Sequence, residues 1–159
     1  MIKIGDTLPS IPLRRLNGSL IEEVNLKDQA KGKKIIVFAV PGAFTPACSK
    51  IHLPSFVKEA EALKTKGIDE IYCVAVNDPY VLDVWGKVSH VAGKVTLLSD
   101  GTGEFTKAMD LLLDDNPVLG LRSKRYVAVL EDGKVKTLLV EPDASKCTIT
   151  CADHIIDIL

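Results

Sequence analysis

The run from Lys34 to Val40 reads KIIVFAV, apolar at every position after the lysine and rich in β-branched and aromatic side chains, and it stops at Pro41-Gly42. A strand without polar alternation is covered on both faces, the situation of an interior strand in a parallel sheet with helices on each side. Ile71 to Val76, IYCVAV, is a second run of the same kind. Between the two, Leu53, Phe56, Val57, Ala60 and Leu63 recur at helical spacing. The segment from Pro46 to about Lys66 is therefore expected to be a helix with one face on the sheet, and the three elements a right-handed βαβ unit.

The junction between the first strand and that helix is Pro41-Gly42-Ala43-Phe44-Thr45-Pro46-Ala47-Cys48. Thr45 is a good N-cap and Pro46 a good first helical residue, so the helix is expected to begin at Pro46 with Cys48 in its first turn. A sulfur there meets unpaired backbone N–H groups and the positive end of the helix dipole, and both favour thiolate, the nucleophilic form. Ionisation alone has a ceiling: an ordinary cysteine is about 3% thiolate at pH 7, so full conversion gains ~30-fold at most. Fast thiol chemistry needs in addition groups that hold an electrophile and its leaving group, such as the Thr45 hydroxyl and a cation.

Turn signals organise the rest. Asn17-Gly18 sits between Ile11 to Leu16 and Ser19 to Val24, and Asp132-Gly133 between Tyr126 to Leu130 and Val135 to Val140, so each marks a hairpin. A short helix is expected around Leu26 to Ala30, another from Asp78-Pro79 through Val88, a strand at Val95 to Leu98 and a helix from Thr102 or Gly103 to Leu113 broken by Asn116-Pro117. A last helix begins at about Thr150 or Cys151. Strand, helix, strand, helix, antiparallel hairpin, helix is the order of a thioredoxin-like α/β fold, a central mixed sheet flanked by helices, here with an N-terminal hairpin and an inserted strand-helix. At 159 residues the chain is expected to be one domain, 1–159.

A net charge of -1 with 47% hydrophobic residues offers no bulk attraction for nucleic acid or membrane. Arg14-Arg15 and Lys31 to Lys34 read as solvated loop edges. No apolar run approaches the ~18 residues of a membrane span, and Met1-Ile2-Lys3 leads straight into the domain, so a cytoplasmic protein is expected, with a mature organellar form as the alternative. The cysteines at 48, 73, 147 and 151 lack zinc-site spacing, and His52, His90 and His154 are scattered. Thiol redox chemistry remains.

PGAFTPACSKIHLPSF resembles the active-site signature of the peroxiredoxins, in particular the type II or peroxiredoxin-5-like branch. The general pattern of Pro, three residues, Thr or Ser, two residues, Cys is met by Pro41, Thr45 and Cys48. The resemblance continues through Ile4-Gly5-Asp6, Val76-Asn77-Asp78-Pro79, Leu111 to Asp115, Lys124-Arg125-Tyr126 and Val140 to Asp143. It implies a thiol-dependent peroxidase acting on hydrogen peroxide and organic hydroperoxides, in which Cys48 is the peroxidatic cysteine that becomes a sulfenic acid. By the same resemblance Thr45 faces the peroxide, Arg125 is the activating cation, and Pro41 shields the sulfur. No metal, haem or flavin is required. Thioredoxin or glutaredoxin is the implied reductant, and a homodimer through the active-site edge the implied assembly.

His52 lies four residues after Cys48, but a thiolate activated by arginine has no proton for a base to remove, so His52 is read as structural. Cys73 is read as core, and Arg122 and Lys124 as solvated neighbours of Arg125. A sulfenic acid condenses with a second thiol, which the family's late loop supplies in a Leu-Thr-Cys context. An ungapped match from Glu141-Pro142-Asp143 puts Ile149 at that position, with a cysteine two residues to either side. Ile149-Thr150-Cys151 restores the context after a small shift, so Cys151 is the expected resolving cysteine, with Cys147 its rival. Plant type II relatives lack this cysteine, which leaves a one-cysteine cycle open. The rival functions are a thiol-disulfide transferase, weakened because Thr45 stands where Cys-x-x-Cys has its first cysteine, and a redox-sensing relay passing oxidation from Cys48 to partner thiols.

Overall fold

The computed structural model describes residues 1–159. Strands β1 (Leu13–Asn17) and β2 (Leu20–Val24) form the first hairpin, and helix α1 (Leu26–Gln29) leads into β3 (Lys34–Val40). Helix α2 (Leu53–Thr65), β4 (Glu70–Ala75), α3 (Pro79–Val88), β5 (Thr96–Ser99) and α4 (Glu104–Ala108) follow. A two-residue pair, β6 (Leu112–Leu113) and β7 (Arg122–Ser123), precedes the hairpin β8 (Tyr126–Glu131) and β9 (Lys134–Val140), and α5 (Ala152–Ile158) ends the chain.

The main sheet runs β2-β1-β5-β4-β3-β8-β9. β3 lies at its interior, parallel to β4 and antiparallel to β8. Its side chains alternate between two cores: Ile36, Phe38 and Val40 pack with Leu53, Phe56, Ala60 and Leu63 of α2. Ile35, Val37 and Ala39 join Leu26, Phe105 and Met109 on the other face. Burial on both faces is why the strand reads as an unbroken apolar run. Phe38 stacks on Phe56 with ring centroids 4.2 Å apart, which fixes α2 over the end of the strand that leads to Pro41. The thioredoxin-like mixed sheet is therefore as expected, and no helix is long and apolar enough to cross a membrane.

Two elements differ from expectation. The helix after Gly103 stops at Ala108 instead of Leu113. Asp110 takes a left-handed conformation (φ 57°), with its N–H donating to the Lys107 carbonyl and the Leu111 N–H to that of Thr106, a Schellman ending without its usual glycine. Leu112-Leu113 is thereby released to pair with Arg122-Ser123. The second difference lies in the helix after Thr45. Pro46 and Ala47 are helical as expected, but Cys48–His52 is a π turn before α2 becomes regular, with the Leu53 N–H reaching back to the Cys48 carbonyl. Such insertions recur at functional sites.

Candidate active site

The register of the sheet assembles the site. Tyr126 pairs with Ala39, so Arg125, one residue earlier, stands beside the end of β3 where the chain turns into Pro41-Gly42. On the other side Ala75 pairs with Val40, bringing Val76 and Asn77 alongside the turn. Asn77 Oδ1 accepts from the Ala43 N–H at 2.9 Å, and Arg122 Nη1 donates to the Val76 carbonyl at 2.7 Å. Arg122 also donates from Nε to the Leu119 carbonyl. It is half-buried and braces the turn from behind, contrary to the solvated role expected of it.

Cys48 has no exposed surface, and Arg125 is 1% exposed. Arg125 Nη2 donates to Cys48 Sγ at 3.0 Å, Nη1 to His52 Nδ1 at 2.8 Å and Nε to the Ala144 carbonyl at 3.0 Å. None of the ion pairs of the molecule includes Arg125. An unpaired buried charge is costly, and of the three groups around this guanidinium only the sulfur can carry a compensating negative charge.

Thr45 departs from its expected capping role. Its hydroxyl donates to the Gly42 carbonyl at 2.7 Å, and its backbone carbonyl accepts from the Ser49 N–H. With its proton committed, Oγ1 is left as an acceptor. Gly42 has little freedom here, since a Cβ would lie 3.2 Å from Thr45 Cγ2. Pro41, Thr45 and Arg125 line one cleft of about 200 Å³, with Leu113, Leu119 and Ala144 among its other walls.

His52 is the site residue that sequence reasoning set aside. Its two ring nitrogens bond elsewhere than the sulfur: Nε2 donates to the Thr150 carbonyl at 3.0 Å, so the proton sits on Nε2 and Nδ1 accepts from Arg125. Burial and then the Arg125 charge push its pKa from 6.5 to about 3. Its i, i+4 spacing from Cys48 was visible, but the arginine between them is 73 residues away from it in the chain.

A second buried group holds the late loop. Glu141 is 4% exposed, and its carboxylate accepts from the backbone N–H of Thr148, Ile149 and Thr150 and from both threonine hydroxyls. Burial raises its pKa, but the bonds from Thr148 and Thr150 outweigh that and leave it below 4.5. Glu141→Gln should cost about 2–4 kcal/mol, since charge-assisted bonds are lost from a buried group. A denaturant midpoint unchanged from wild type would refute that role.

Acid should loosen the site through His52. Between pH 6.5 and about 3 the unfolded chain binds a proton that the folded imidazole refuses, so stability falls as pH falls. Glu141, whose folded affinity for a proton is depressed, adds a loss in the same direction at lower pH. Unfolding free energy measured from pH 7 down to pH 5 should decline by roughly 1–2 kcal/mol more in wild type than in His52→Gln. Parallel slopes would count against it.

The late cysteines do not reach Cys48. Cys147 and Cys151 are joined to each other in a disulfide with Cα atoms 5.8 Å apart, and Cys48 and Cys73 are free. Neither candidate resolving cysteine, Cys151 or its rival Cys147, is bonded to Cys48 in this structure; the two late sulfurs are bonded to one another. Cys73 is buried in β4 as expected, with burial pushing its thiol pKa well up.

Comparison with known proteins decides the family. The Redoxin family model matches residues 3–156. Peroxiredoxin-2B of Arabidopsis thaliana is 41% identical over 99% of this chain and 98% of its own length. The chloroplastic Peroxiredoxin-2E of the same plant is 48% identical over 88% of this chain, which spans 62% of that longer protein. The crystal structure of reduced Prx3 from Vibrio vulnificus in complex with H2O2 superposes with a TM-score of 0.92 at 40% identity, covering 99% and 96% of the two chains. Peroxiredoxin 5 from Alvinella pompejana gives 0.80 at 36% identity, covering 91% and 92%.

The chain belongs to the Redoxin family and is a peroxiredoxin. As a peroxiredoxin it is a thiol-dependent peroxidase served by a thioredoxin-type reductant. In this peroxiredoxin, Pro41, Thr45 and Arg125 line one cleft and Arg125 holds the buried Cys48 sulfur, whereas Cys147 and Cys151 form a bonded pair of their own.

Proposed function

We propose that Cys48 is the thiol that attacks peroxide, with Arg125, Thr45 and Pro41 as its setting. The observation that carries this reading is the buried Arg125 guanidinium, whose only partner able to bear negative charge is Cys48 Sγ, 3.0 Å from Nη2. The thiolate attacks one peroxide oxygen as the O–O bond breaks. The departing oxygen is stabilised by the guanidinium and leaves as water or alcohol after taking a proton. Thr45 Oγ1, an acceptor once it has donated to Gly42, receives the peroxide O–H and holds the molecule in line. Pro41 is buried at the cleft wall and keeps water from the sulfur.

Hydrogen peroxide as substrate is supported by the likeness to the Vibrio protein solved with H2O2. Organic hydroperoxides are supported by the apolar walls Leu113 and Leu119. The test is a sulfenic acid probe applied after substoichiometric peroxide to the double variant Cys147→Ser, Cys151→Ser, in which no late thiol can consume the product: label on Cys48 is expected, and equal label on Cys48 and Cys73 would overturn the assignment. Steady turnover with thioredoxin or glutaredoxin distinguishes the enzyme from a redox-sensing relay, which would oxidise once and stop.

The reading includes one folding unit over residues 1–159, supported by the single seven-stranded sheet that most of the chain packs against. It includes a homodimer through the active-site edge, supported by exposed Phe44 in a left-handed conformation and by exposed Val118 and Leu121. Sedimentation of wild type against Phe44→Ser should show the variant shifted to monomer. A cytoplasmic location completes the proposal, with an organelle as the outcome that cell fractionation would set against it.

A further inference from the structure

The disulfide between Cys147 and Cys151 coexists with an intact site: Cys48 is free and held by Arg125 while the late pair is oxidised. A transfer of oxidation from Cys48 to the late pair would leave the molecule in this state. We propose that the peroxiredoxin works by a three-thiol relay, in which Cys48 hands its oxidation to the Cys147/Cys151 pair and is re-armed as a thiolate before any external reductant acts. The relay rests on the peroxidatic role of Cys48.

The loop that carries the pair is tied to the site at both ends. The Ala144 carbonyl accepts from Arg125 Nε, and the Thr150 carbonyl is bonded to His52, which in turn accepts from Arg125. Cys151 adjoins Thr150 and is buried, whereas Cys147 is partly exposed. Once Cys48 is a neutral sulfenic acid, Arg125 loses the charge that held the sulfur. The Cys48–His52 π turn is then the segment that unwinds to let the thiols meet.

The chemistry balances without a further co-reactant. Cys48 thiolate takes an oxygen from ROOH, and the alkoxide takes a proton to leave as ROH, so the sulfur is oxidised by two electrons. Cys151 attacks the sulfenic sulfur, forming the Cys48–Cys151 bond as the S–O bond breaks, and its thiol proton leaves with the hydroxide as water. Cys147 then attacks the Cys151 sulfur. The Cys147–Cys151 bond forms, within the Cα separation a disulfide allows (5.8 Å), and Cys48 is expelled as the thiolate that Arg125 holds, a favourable leaving group. The proton lost by Cys147 balances the one taken by the alkoxide. The sum is two thiols and ROOH giving one disulfide, ROH and water. A thioredoxin-type dithiol then reduces the pair, attacking at the more exposed Cys147.

The test is a titration of fully reduced protein with peroxide in the absence of reductant, with peptide mapping after each equivalent. The relay requires that the first equivalent yield Cys147–Cys151 with Cys48 still a thiol. A second equivalent is then consumed as fast as the first and gives Cys48 sulfenic acid. Cys147→Ser should stop after one equivalent as Cys48–Cys151. A wild-type chain that stops after one equivalent with a Cys48–Cys151 or Cys48–Cys147 bridge overturns the relay while leaving Cys48 peroxidatic, as does one that holds Cys48 sulfenic acid beside two late thiols. If Cys48→Ser forms the late disulfide as fast as wild type, both the relay and the peroxidatic reading fall.

Discussion

Cys48→Ser is expected to reduce peroxide at less than ~1% of the wild-type rate. A serine hydroxyl is not ionised near neutral pH and cannot pass through a sulfenic acid, so the chemical step itself is removed, not merely slowed. The fold should survive, because Cys48 sits among residues whose packing does not depend on its charge: Phe38 and Phe56 stack nearby irrespective of the sulfur. Stability should nevertheless drop by about 1–3 kcal/mol, since the buried Arg125 exchanges its one partner able to carry negative charge for a neutral hydroxyl. Circular dichroism with a denaturant midpoint, run beside a peroxide-consumption assay, separates the two effects. Activity above a few per cent of wild type in a folded variant would end the assignment of Cys48.

Arg125→Ala should slow peroxide reduction by ~10²–10³-fold, beyond the ~30-fold that loss of thiolate alone can produce. The guanidinium has three engagements at once, Cys48 Sγ, His52 Nδ1 and the Ala144 carbonyl, and alanine frees all three. The sulfur loses its counter-charge, the peroxide its electrostatic partner, and the late loop one of its two ties to the site. Arg125→Lys keeps the charge but not the fork and should recover only part of the rate. Thiolate fraction followed by ultraviolet absorbance beside the rate decides the matter. A rate loss fully accounted for by the lost thiolate would refute a role for Arg125 in holding the peroxide.

The sites of agreement and disagreement with the sequence share a physical logic. The hairpin at Asp132-Gly133 was legible because a two-residue turn demands residues that tolerate positive φ, and both have it. The first hairpin was legible too, but its turn falls on Gly18-Ser19, one residue later than Asn17-Gly18, because Asn17 still pairs with Leu20 and only Gly18 needs positive φ. The stop at Asp110 was not legible, because an aspartate adopts the left-handed conformation there without announcing it as a glycine would. Thr45 shows the same limit at the level of one hydrogen: its residue type suits a cap, yet its proton goes to Gly42 because the turn brings that carbonyl within reach.

The sequence by itself determined the interior strand, the turn that follows it, the helix that starts at Pro46 and the cysteine in its first turn. Each rests on side-chain periodicity and backbone preference over a few neighbouring residues, and such preferences are written locally. Only the tertiary structure decided that Arg125 meets Cys48 across 77 positions, that His52 serves the arginine instead of the sulfur, and that Thr150 closes the chain of contacts 98 positions from His52. It also decided that Cys147 and Cys151 bond to one another. Those outcomes depend on the pairing of β3 with β8 and on the loop gathered around Glu141. A buried charge must find its partners in three dimensions, and spacing along the chain carries no record of which ones it finds.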